Sequence, residues 1–527
     1  MKLLKKNTLL TIIYFICFSF NSQEKKNILW LVCEDQSLFF SSYFDSIAKT
    51  PNLDELASNG IVYDNFFAVS PVCSPSRSSI ITGMYPTTIG TQHMRAYKKN
   101  KDSINSKTNL PFYSAAPKRN IKFFTENLRK KGYFCTNNSK EDYNMQISPL
   151  AWDESNKYAH WRNRNENQPF FSVFNFNITH ESRIWGNYKK HSKNETNKII
   201  LPPFFPNNNT IKNDFVTNYK NIEKLDKQIG EIINQLKDDG LYENTVIFFF
   251  SDHGGPFPRY KRSIYDSGLK CPLIIKWTET RNEPRNNQMI SFIDLAPTIL
   301  ELTKSETNHE MEGVSFYNQN NRDYIFAATD RFDEYTDKRR CVRNKEFKVI
   351  INYDTNSSIM KPVSYRQKMK TMRVLDSLND LKKNTISMEN WYKKTKPKYE
   401  LYDIVNDPYE LNNLFTNKDY DSVFYELKNK LNNWIKASDY GNMNEEQMLE
   451  EMFSNEFRPM KLNVPTIKKS NEGFIIYSNN SGASIAYRTS KNLSWEIIEN
   501  GNQIVSENAF ELLMFKPGYE LFLETFK

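Results

Sequence analysis

The chain has 527 residues, of which 39% are apolar and 14% aromatic. This composition is typical of a folded protein with a large core, and the length allows two or three domains. The net charge of +9 comes from 71 basic and 62 acidic residues. Its basic clusters are not interleaved with aromatic residues as in a nucleic-acid groove. A disordered chain is therefore excluded and nucleic acid is not expected as a partner, whereas the modest positive charge fits an anionic substrate or an ordinary surface.

The first residues predict export. Three lysines in the first six residues precede an apolar run from Leu9 to Phe20, which is too short for a comfortable membrane span. We expect residues 1–22 to be a signal peptide and the mature protein to be periplasmic or secreted. No later stretch is apolar enough to predict an integral membrane span.

Removal of this leader leaves five cysteines, an odd number for an exported chain. At least one of them is then free or modified, and Cys73 is the candidate. The remaining four allow zero, one or two disulfide bridges: Cys33, Cys135, Cys271 and Cys341.

Strands and helices alternate in the first 300 residues, which predicts an α/β fold with a largely parallel sheet. Apolar residues at three- and four-residue spacing predict a helix over 215–238. Short apolar runs predict buried strands, at 27–32, 61–67, 170–176 and 245–250. Acidic residues follow the first and the last of these strands, and the carboxyl ends of parallel strands are where α/β proteins bind ligands.

From about Tyr324 the segments become shorter and mixed, with a strand predicted at 347–353 and a charged helix at 445–453. Alternating runs after Pro465 predict a small β module, with strands at 474–477, 483–487, 495–498 and 520–526. The predicted domains are a catalytic domain, an α+β subdomain, a helical linker and the β module, over 23–345, 346–440, 441–464 and 465–527.

An eleven-residue stretch carries the most specific pattern in the chain. Six positions fit C-x-P-S-R-x-x-x-x-T-G, namely Cys73, Pro75, Ser76, Arg77, Thr82 and Gly83. Chance would produce this match in about one of 10⁵ chains of this length. The structural alternative is a buried, inert cysteine at a strand-to-helix turn.

This pattern resembles the maturation motif of type I sulfatases, in which the cysteine is oxidised to formylglycine (3-oxoalanine). The resemblance implies an alkaline-phosphatase-like fold, with a large, mixed, mostly parallel sheet flanked by helices. It also implies a formylglycine-generating or sulfatase-maturating enzyme as a partner. A hydrated aldehyde is a useful nucleophile, because one hydroxyl attacks sulfur and the other later expels the sulfate. If a helix starts near Pro75, Arg77 lies one turn from Cys73.

Two loops supply candidate metal ligands beside the modified Cys73, namely Glu34, Asp35, Asp252 and His253. Three carboxylates and one imidazole suit a hard cation such as Ca²⁺ better than zinc. The resembled family usually has Asp-Asp after its first strand. Here the first of the two is Glu34, whose longer side chain changes the reach of the carboxylate.

The resemblance implies four more catalytic side chains. Lys261, four residues before Tyr265, matches a sulfate-binding lysine. Lys140 resembles the first member of a Lys-x-His pair, with Asp142 in place of the histidine. His180 resembles the histidine that contacts the scissile oxygen.

These matches imply a mechanism. The cation and three basic side chains, Arg77, Lys140 and Lys261, hold the sulfate oxygens. Asp35 accepts the proton of the attacking hydroxyl. His180 or Lys261 protonates the leaving oxygen.

The segment from Asp252 to Arg259 resembles the heparan N-sulfatase-like branch, whose bacterial members also act on algal polysaccharides such as ulvan. We therefore expect a sulfated polysaccharide or its oligosaccharides as substrate. Candidate substrate-binding residues lie in two stretches, His93 with Arg95 and His160 with Arg162. Three alternatives stay open: a heparan N-sulfoglucosamine sulfohydrolase, a phosphodiesterase of the same superfamily, and an inactive glycan-binding protein.

Overall fold

A computed structural model describes most of the chain, in the ranges 25–97, 109–186, 188–281, 283–306, 309–318, 322–453, 459–470, 473–491, 493–504 and 509–526. The predicted signal peptide, residues 1–22, lies outside the described residues. Among the described helices, none combines the length and apolar character needed to cross a membrane.

A large mixed sheet forms the centre of the fold. Its strands in the described ranges are β1 (Asn27–Cys33), β2 (Ile61–Phe67), β3 (Phe134–Asn138), β4 (Glu154–Ser155), β5 (Phe170–Phe176), β6 (Thr245–Ser251), β7 (Lys270–Cys271), β8 (Leu273–Lys276) and β9 (Arg285–Ser291). Their order is β4-β3-β5-β1-β6-β8-β2-β7, and β9 also pairs with β2. Pairing is parallel except where β8 meets β6 and β2, and where β7 meets β2. The predicted mostly parallel sheet is confirmed.

Helices cover both faces of this sheet. They are α1 (Pro51–Ser58), α2 (Cys73–Thr82), α3 (Pro86–Ile89), α4 (Phe124–Lys130), α5 (Ser182–Trp185), α6 (Lys193–Asn197), α7 (Asn209–Asp238), α8 (Asp266–Leu269) and α9 (Leu295–Leu302). α7 starts six residues before the predicted residue 215. The cause is a cap, because the Asn208 side chain accepts a hydrogen bond from the Thr210 N–H at 2.8 Å.

β1 shows why the sheet needs both layers. Ile28, Trp30 and Val32 point into one hydrophobic cluster, and the alternate residues Leu29 and Leu31 point into the other. All are buried. A strand covered on both faces reads as a continuous apolar run, which is the pattern seen in the sequence.

Smaller antiparallel sheets follow. The first consists of β10 (Ile325–Phe332), β11 (Tyr335–Arg343), β12 (Phe347–Asn352) and β13 (Tyr399–Asp403). The helices around it are α10 (Lys370–Asp380), α11 (Ile386–Tyr392), α12 (Asp421–Ala437) and α13 (Glu445–Met452). The predicted boundary at residue 345 falls inside this sheet, because β11 and β12 pair across it. We propose instead that the C-terminal subdomain begins near Ile325.

The chain ends in two small antiparallel sheets. Their strands are β14 (Thr466–Ser470), β15 (Gly473–Tyr477), β16 (Ser484–Arg488), β17 (Glu496–Ile498), β18 (Gln503–Ile504), β19 (Phe510–Phe515) and β20 (Phe522–Phe526). Four of these strands are predicted from the sequence, whereas β14, β18 and β19 are not. β19 is apolar at every position except Glu511, so it lacks the alternation by which a half-buried strand is recognised.

A buried carboxylate joins α7 to α10. Oδ2 of Asp214 accepts hydrogen bonds from the Thr371 N–H at 2.9 Å and the Thr371 hydroxyl at 2.7 Å. Oδ1 is buried and has no hydrogen-bond partner in the described structure. Burial raises the pKa of Asp214 to about 6, and the bonds from Thr371 offset this only in part.

We expect Asp214→Asn to stabilise the protein in a pH-dependent way. A raised carboxyl pKa costs stability as the pH rises from the unfolded value of about 4 to the folded value. The gain in the free energy of unfolding should be absent near pH 4 and reach about 3 kcal/mol above pH 6. Urea unfolding at a series of pH values measures it. Asp238→Asn, at the exposed end of α7, should change it by less than about 0.5 kcal/mol throughout. A gain independent of pH would contradict the prediction.

Candidate active site

Three neighbouring parallel strands bring acidic and imidazole side chains to one edge of the large sheet. Glu34 and Asp35 follow β1, His180 follows β5, and Asp252 and His253 follow β6. β1 pairs in parallel with both β5 and β6, so the three carboxyl ends lie side by side. The backbone N–H of Asp35 donates to Oδ1 of Asp252 at 3.1 Å, which ties the two acidic loops together.

Cys73 lies at the centre of this edge. α2 begins at Cys73 itself, and the side chain is 1% exposed. Its Sγ is 3.3 Å from Nε2 of His253 and 4.0 Å from Oδ1 of Asp35. Arg77 lies one helical turn further along, and the N-terminus of a helix favours an anionic group.

Carboxylates and an imidazole cluster around Cys73. Ligand atoms of Asp35, Cys73, Asp252 and His253 all lie within 4.8 Å of one another. Nδ1 of His253 donates to the carbonyl of Gly254 at 2.9 Å, so Nε2 faces the carboxylates. Burial alone would lower the pKa of His253, but Asp252, Cys73 and Asp35 outweigh it and raise the pKa to about 10. A site that stabilises positive charge so strongly fits a bound cation.

Three basic side chains surround the same cluster. Nε of Arg77 is 2.9 Å from Oδ2 of Asp252, and Nη2 of Arg77 is buried without a hydrogen-bond partner in the described structure. Nζ of Lys140 is 2.7 Å from Oε2 of Glu34. Nζ of Lys261 is 2.8 Å from Oδ2 of Asp35. Each cation is therefore held by a carboxylate and is available to a further anion.

Lys261 connects the carboxylates to His180. Its Nζ donates to both oxygens of Asp35, at 2.9 and 2.8 Å, and lies 3.4 Å from Nε2 of His180. Burial opposes the charge of Lys261, but Asp35 and Cys73 hold its pKa well above the ordinary value. Burial and the charge of Lys261 lower the pKa of His180. Lys261 is therefore cationic and His180 is neutral near pH 7.

Comparison with known proteins agrees with this geometry. Residues 26–305 match the Sulfatase family, and residues 258–380 match the C-terminal region of N-sulphoglucosamine sulphohydrolase. The chain belongs to the sulfatase family. The predicted family is confirmed, and with it the enzyme class of sulfuric ester hydrolases.

Alignments to named relatives span most of this sulfatase. An "ulvan-active sulfatase" of Formosa agariphila is 38% identical over 94% of this chain and 90% of its own length. Human N-sulphoglucosamine sulphohydrolase is 23% identical over 78% of this chain and 89% of its own. Among solved structures, BT4656 in complex with its substrate D-glucosamine-2-N,6-O-disulfate aligns with a TM-score of 0.57 at 17% identity. That alignment covers 80% of this chain and all of the other. The alkaline-phosphatase-like fold of the sulfatases is confirmed.

Asp142 contacts the first turn of α2 in this sulfatase. Its Oδ1 accepts a hydrogen bond from the hydroxyl of Ser74 at 2.5 Å, and its Oδ2 is 3.8 Å from Nζ of Lys140. The carboxylate is thus bound to the residue that follows Cys73. Its geometry supports a role in positioning the start of α2.

A second layer of charged residues lies beneath the site and was not predicted from the sequence. The backbone N–H of Glu181 donates to Oδ2 of Asp35 at 2.7 Å. The Glu181 carboxylate lies 3.2 Å from Lys261 and 2.8 Å from Arg262. Arg262 also contacts Asp333 at 2.9 Å. Burial raises the pKa of Glu181, but Arg262 and Lys261 outweigh it and lower the pKa to about 2. Glu181 and Arg262 directly follow His180 and Lys261, and that adjacency was the available signal.

Two predicted substrate-binding residues do not reach the site. Nε and Nη2 of Arg162 both contact Asp239 at 2.8 Å, and His160 contacts Gln235 at 3.2 Å. Asp239 precedes β6, whereas Asp252 and His253 follow it, so these contacts lie at the opposite end of the strands. The side chains are engaged by the end of α7 instead of being presented to a substrate.

Of the other two predicted substrate-binding residues, His93 and Arg95, only Arg95 lies at the rim of the site. His93 is 2% exposed, accepts from the backbone N–H of Arg331 at 3.4 Å and lies beneath the surface, so it is not at the rim. Arg95 is exposed, with its guanidinium carbon 5.9 Å from the centroid of the Tyr365 ring. That ring centroid is 6.3 Å from the ring of His180, which places Arg95 at the rim.

The five described cysteines are free and buried, including Cys73. Of the disulfide options left open by the sequence, the described structure contains zero bridges.

We expect Glu181→Gln to destabilise this sulfatase strongly. The variant leaves Lys261 and Arg262 buried with one carboxylate fewer, and breaking such a buried pair costs about 3–5 kcal/mol. Urea unfolding followed by tryptophan fluorescence measures the change. The control Glu243→Gln, at a side chain 92% exposed, should cost less than about 0.5 kcal/mol. Equal midpoints for the two variants would show that Glu181 does not compensate these cations.

Proposed function

We propose that this sulfatase hydrolyses sulfate esters of a sulfated polysaccharide, or of its oligosaccharides, through a hydrated formylglycine made from Cys73. The observation that carries the proposal is the position of Cys73, 3.3 Å from His253 and 4.0 Å from Asp35 at the start of α2. The activity named for the Formosa agariphila relative supports an ulvan-like glycan.

We further propose that the acidic pocket binds Ca²⁺. Glu34, Asp35, Asp252 and His253 would hold the ion together with the modified side chain at position 73. Oxygen donors dominate this set, which is the preference of a hard cation. When bound, the ion supplies positive charge that stabilises the attacking oxygen and the sulfate.

The basic side chains would bind the sulfate oxygens. Arg77 has a buried N–H group without a partner in the described structure, and an anion in the pocket would satisfy it. Lys140 and Lys261 add two cations, and preorganised charge of this kind stabilises the transition state. Asp35, 4.0 Å from Sγ of Cys73, is the candidate to accept the proton of the attacking hydroxyl.

His180 and Lys261 are the two candidates to donate a proton to the leaving oxygen, and Nε2 of His180 lies 3.4 Å from Nζ of Lys261. A general acid must carry its proton before the bond breaks. His180 is neutral near pH 7 because its pKa is lowered by burial and by Lys261, and Lys261 keeps its proton. His180 would contact the leaving oxygen by its remaining N–H, beside the cationic Lys261.

Burial of Cys73 bears on its modification. The side chain is 1% exposed, so a maturation enzyme must reach it before the chain is fully folded. We propose an exported protein that is oxidised by a formylglycine-generating or sulfatase-maturating enzyme on the way.

An N-sulfoglucosamine sulfohydrolase is the second candidate. It is favoured by the match of residues 258–380 to the C-terminal region of that enzyme family. The cleaved bond would then be S–N, with the same nucleophile and the same cations.

The proposed function is tested with the sulfatase produced together with a maturation enzyme. Mass spectrometry follows the release of sulfate from ulvan oligosaccharides, O-sulfated glycosaminoglycan fragments and N-sulfoglucosamine, and the hydrolysis of an aryl phosphodiester. We expect release from an O-sulfated sugar. Cys73→Ala should lose at least about a thousandfold in rate while its circular dichroism is unchanged. Retained turnover in this variant, or a preference for the phosphodiester, would refute the assignment.

Calcium should stabilise the chelator-treated protein. Excess Ca²⁺ is expected to raise its melting temperature by at least about 4 °C, because a ligand that binds only the folded state stabilises it. The rise should nearly vanish in Asp252→Asn. Asp239→Asn, whose carboxylate contacts Arg162 far from the pocket, should respond as the parent does. An unaltered response of Asp252→Asn would place the ion elsewhere.

A further inference from the structure

An aromatic pair borders the catalytic histidine. The rings of Trp185 and Tyr365 are in edge contact, with centroids 5.3 Å apart, and Tyr365 is 6.3 Å from His180. Both are partly exposed. Trp185 ends α5, in the loop that carries His180, whereas Tyr365 comes from the segment between β12 and α10. Two distant parts of the chain thus build one surface beside the reacting group.

Two cations flank the Tyr365 ring. The guanidinium carbon of Arg95 is 5.9 Å from the ring centroid, and Nζ of Lys368 is 5.1 Å from it. Both side chains are exposed. Neither forms an ion pair with a carboxylate among the residues that the structure describes. They are therefore available to an anionic group that lies over the aromatic pair.

The segment that carries Tyr365 is held firmly against the catalytic pocket. Val363 belongs to the same apolar cluster as Cys73, and Tyr365 packs against that cluster. The backbone N–H of Ser364 donates to Glu334 at 2.7 Å, and that of Gln367 donates to the carbonyl of Val363 at 3.0 Å. The surface is thus preorganised for binding, which reduces the entropy lost when a ligand is bound.

We propose that Tyr365 and Trp185 bind the sugar ring next to the sulfated one, on the side of His180. Arg95 and Lys368 bind a carboxylate or a second sulfate on that part of the glycan. The inference rests on the proposed function and deepens it: the substrate is an acidic oligosaccharide, such as one with a uronate next to the sulfated residue. Rigid amphipathic rings supply contact area at low entropic cost, and guanidinium and ammonium groups pair with carboxylate or sulfate.

Other charged residues near this surface determine which kind of sugar it can bind. Glu334 is anchored under the Ser364 N–H, and Asp35 and Glu181 are already compensated by Lys261. Among the described residues, the two exposed side chains over the Tyr365 ring, Arg95 and Lys368, are thus cationic and have no ion-pair partner. A neutral sugar would leave both without a partner, whereas an acidic one would pair with them.

The test compares two substrates in the active, matured enzyme. One is a disaccharide of a sulfated sugar linked to a uronic acid, and the other is 4-nitrophenyl sulfate, which ends at a single ring. We expect Tyr365→Ala to raise KM for the disaccharide by about tenfold. Its kcat/KM for 4-nitrophenyl sulfate should stay within about twofold of the parent. Tyr425→Ala, an exposed tyrosine on α12, is the matched control and should change neither value.

The charge requirement is tested by binding, without turnover. In the Cys73→Ala background, calorimetry measures affinity for the disaccharide and for the same compound with its carboxylate reduced to an alcohol. We expect Arg95→Gln and Lys368→Gln each to weaken binding of the acid about fivefold and to leave that of the alcohol unchanged. Both side chains are exposed, so these variants keep the test valid if Tyr365→Ala fails to fold.

The outcomes separate the two levels of inference. If the matured parent desulfates the disaccharide but the Tyr365, Arg95 and Lys368 variants bind and turn it over normally, this surface is not the sugar site. Equal losses on 4-nitrophenyl sulfate would likewise overturn it, since they would indicate a general distortion. If the parent neither binds nor desulfates any sulfated sugar, the proposed function fails together with this inference.

Discussion

The candidate active site, at the carboxyl ends of β1, β5 and β6, depends on buried cations that compensate buried carboxylates. Asp35 and Asp252 are fully buried, and an unpaired charge in such a position costs several kcal/mol. Each carboxylate therefore holds a particular cation: Lys261 contacts Asp35, and Arg77 contacts Asp252. The same contacts aim these cations at the space above Cys73. Stability and the geometry needed for catalysis thus have a common electrostatic origin.

The C-terminal sheet takes part in this arrangement. Tyr265, on the loop that also carries Lys261, donates to Glu400 of β13 at 2.8 Å, and Arg339 of β11 contacts the same carboxylate at 2.9 Å. Asp333, between β10 and β11, pairs with Arg262. The loop with the candidate sulfate-binding lysine is therefore fixed by residues that follow it by 70 positions or more. The segment with Tyr365 brings the same part of the chain to the rim of the pocket.

The contribution of the sequence is clearest where the pattern is local. The mainly apolar runs located β1, β2, β5 and β6 to within a residue, because strands buried on both faces are largely apolar. The run from Cys73 to Gly83 matches a specific pattern of residue types that few chemical functions require. Alternation was too weak to reveal β19, and a cap placed the start of α7 earlier than its apolar periodicity suggested.

By itself, the amino-acid sequence determined the family, the α/β class, the candidate nucleophile and the two acidic loops, since each depends on neighbouring residues. Only the tertiary structure decided which basic and imidazole residues meet them. Arg162 is paired at the far end of α7, His93 is covered, and Arg95 lies beside Tyr365. The position of Tyr365 beside His180 could be found only there, because contacts between residues far apart in the chain depend on how sheets and loops pack, and no local spacing encodes that.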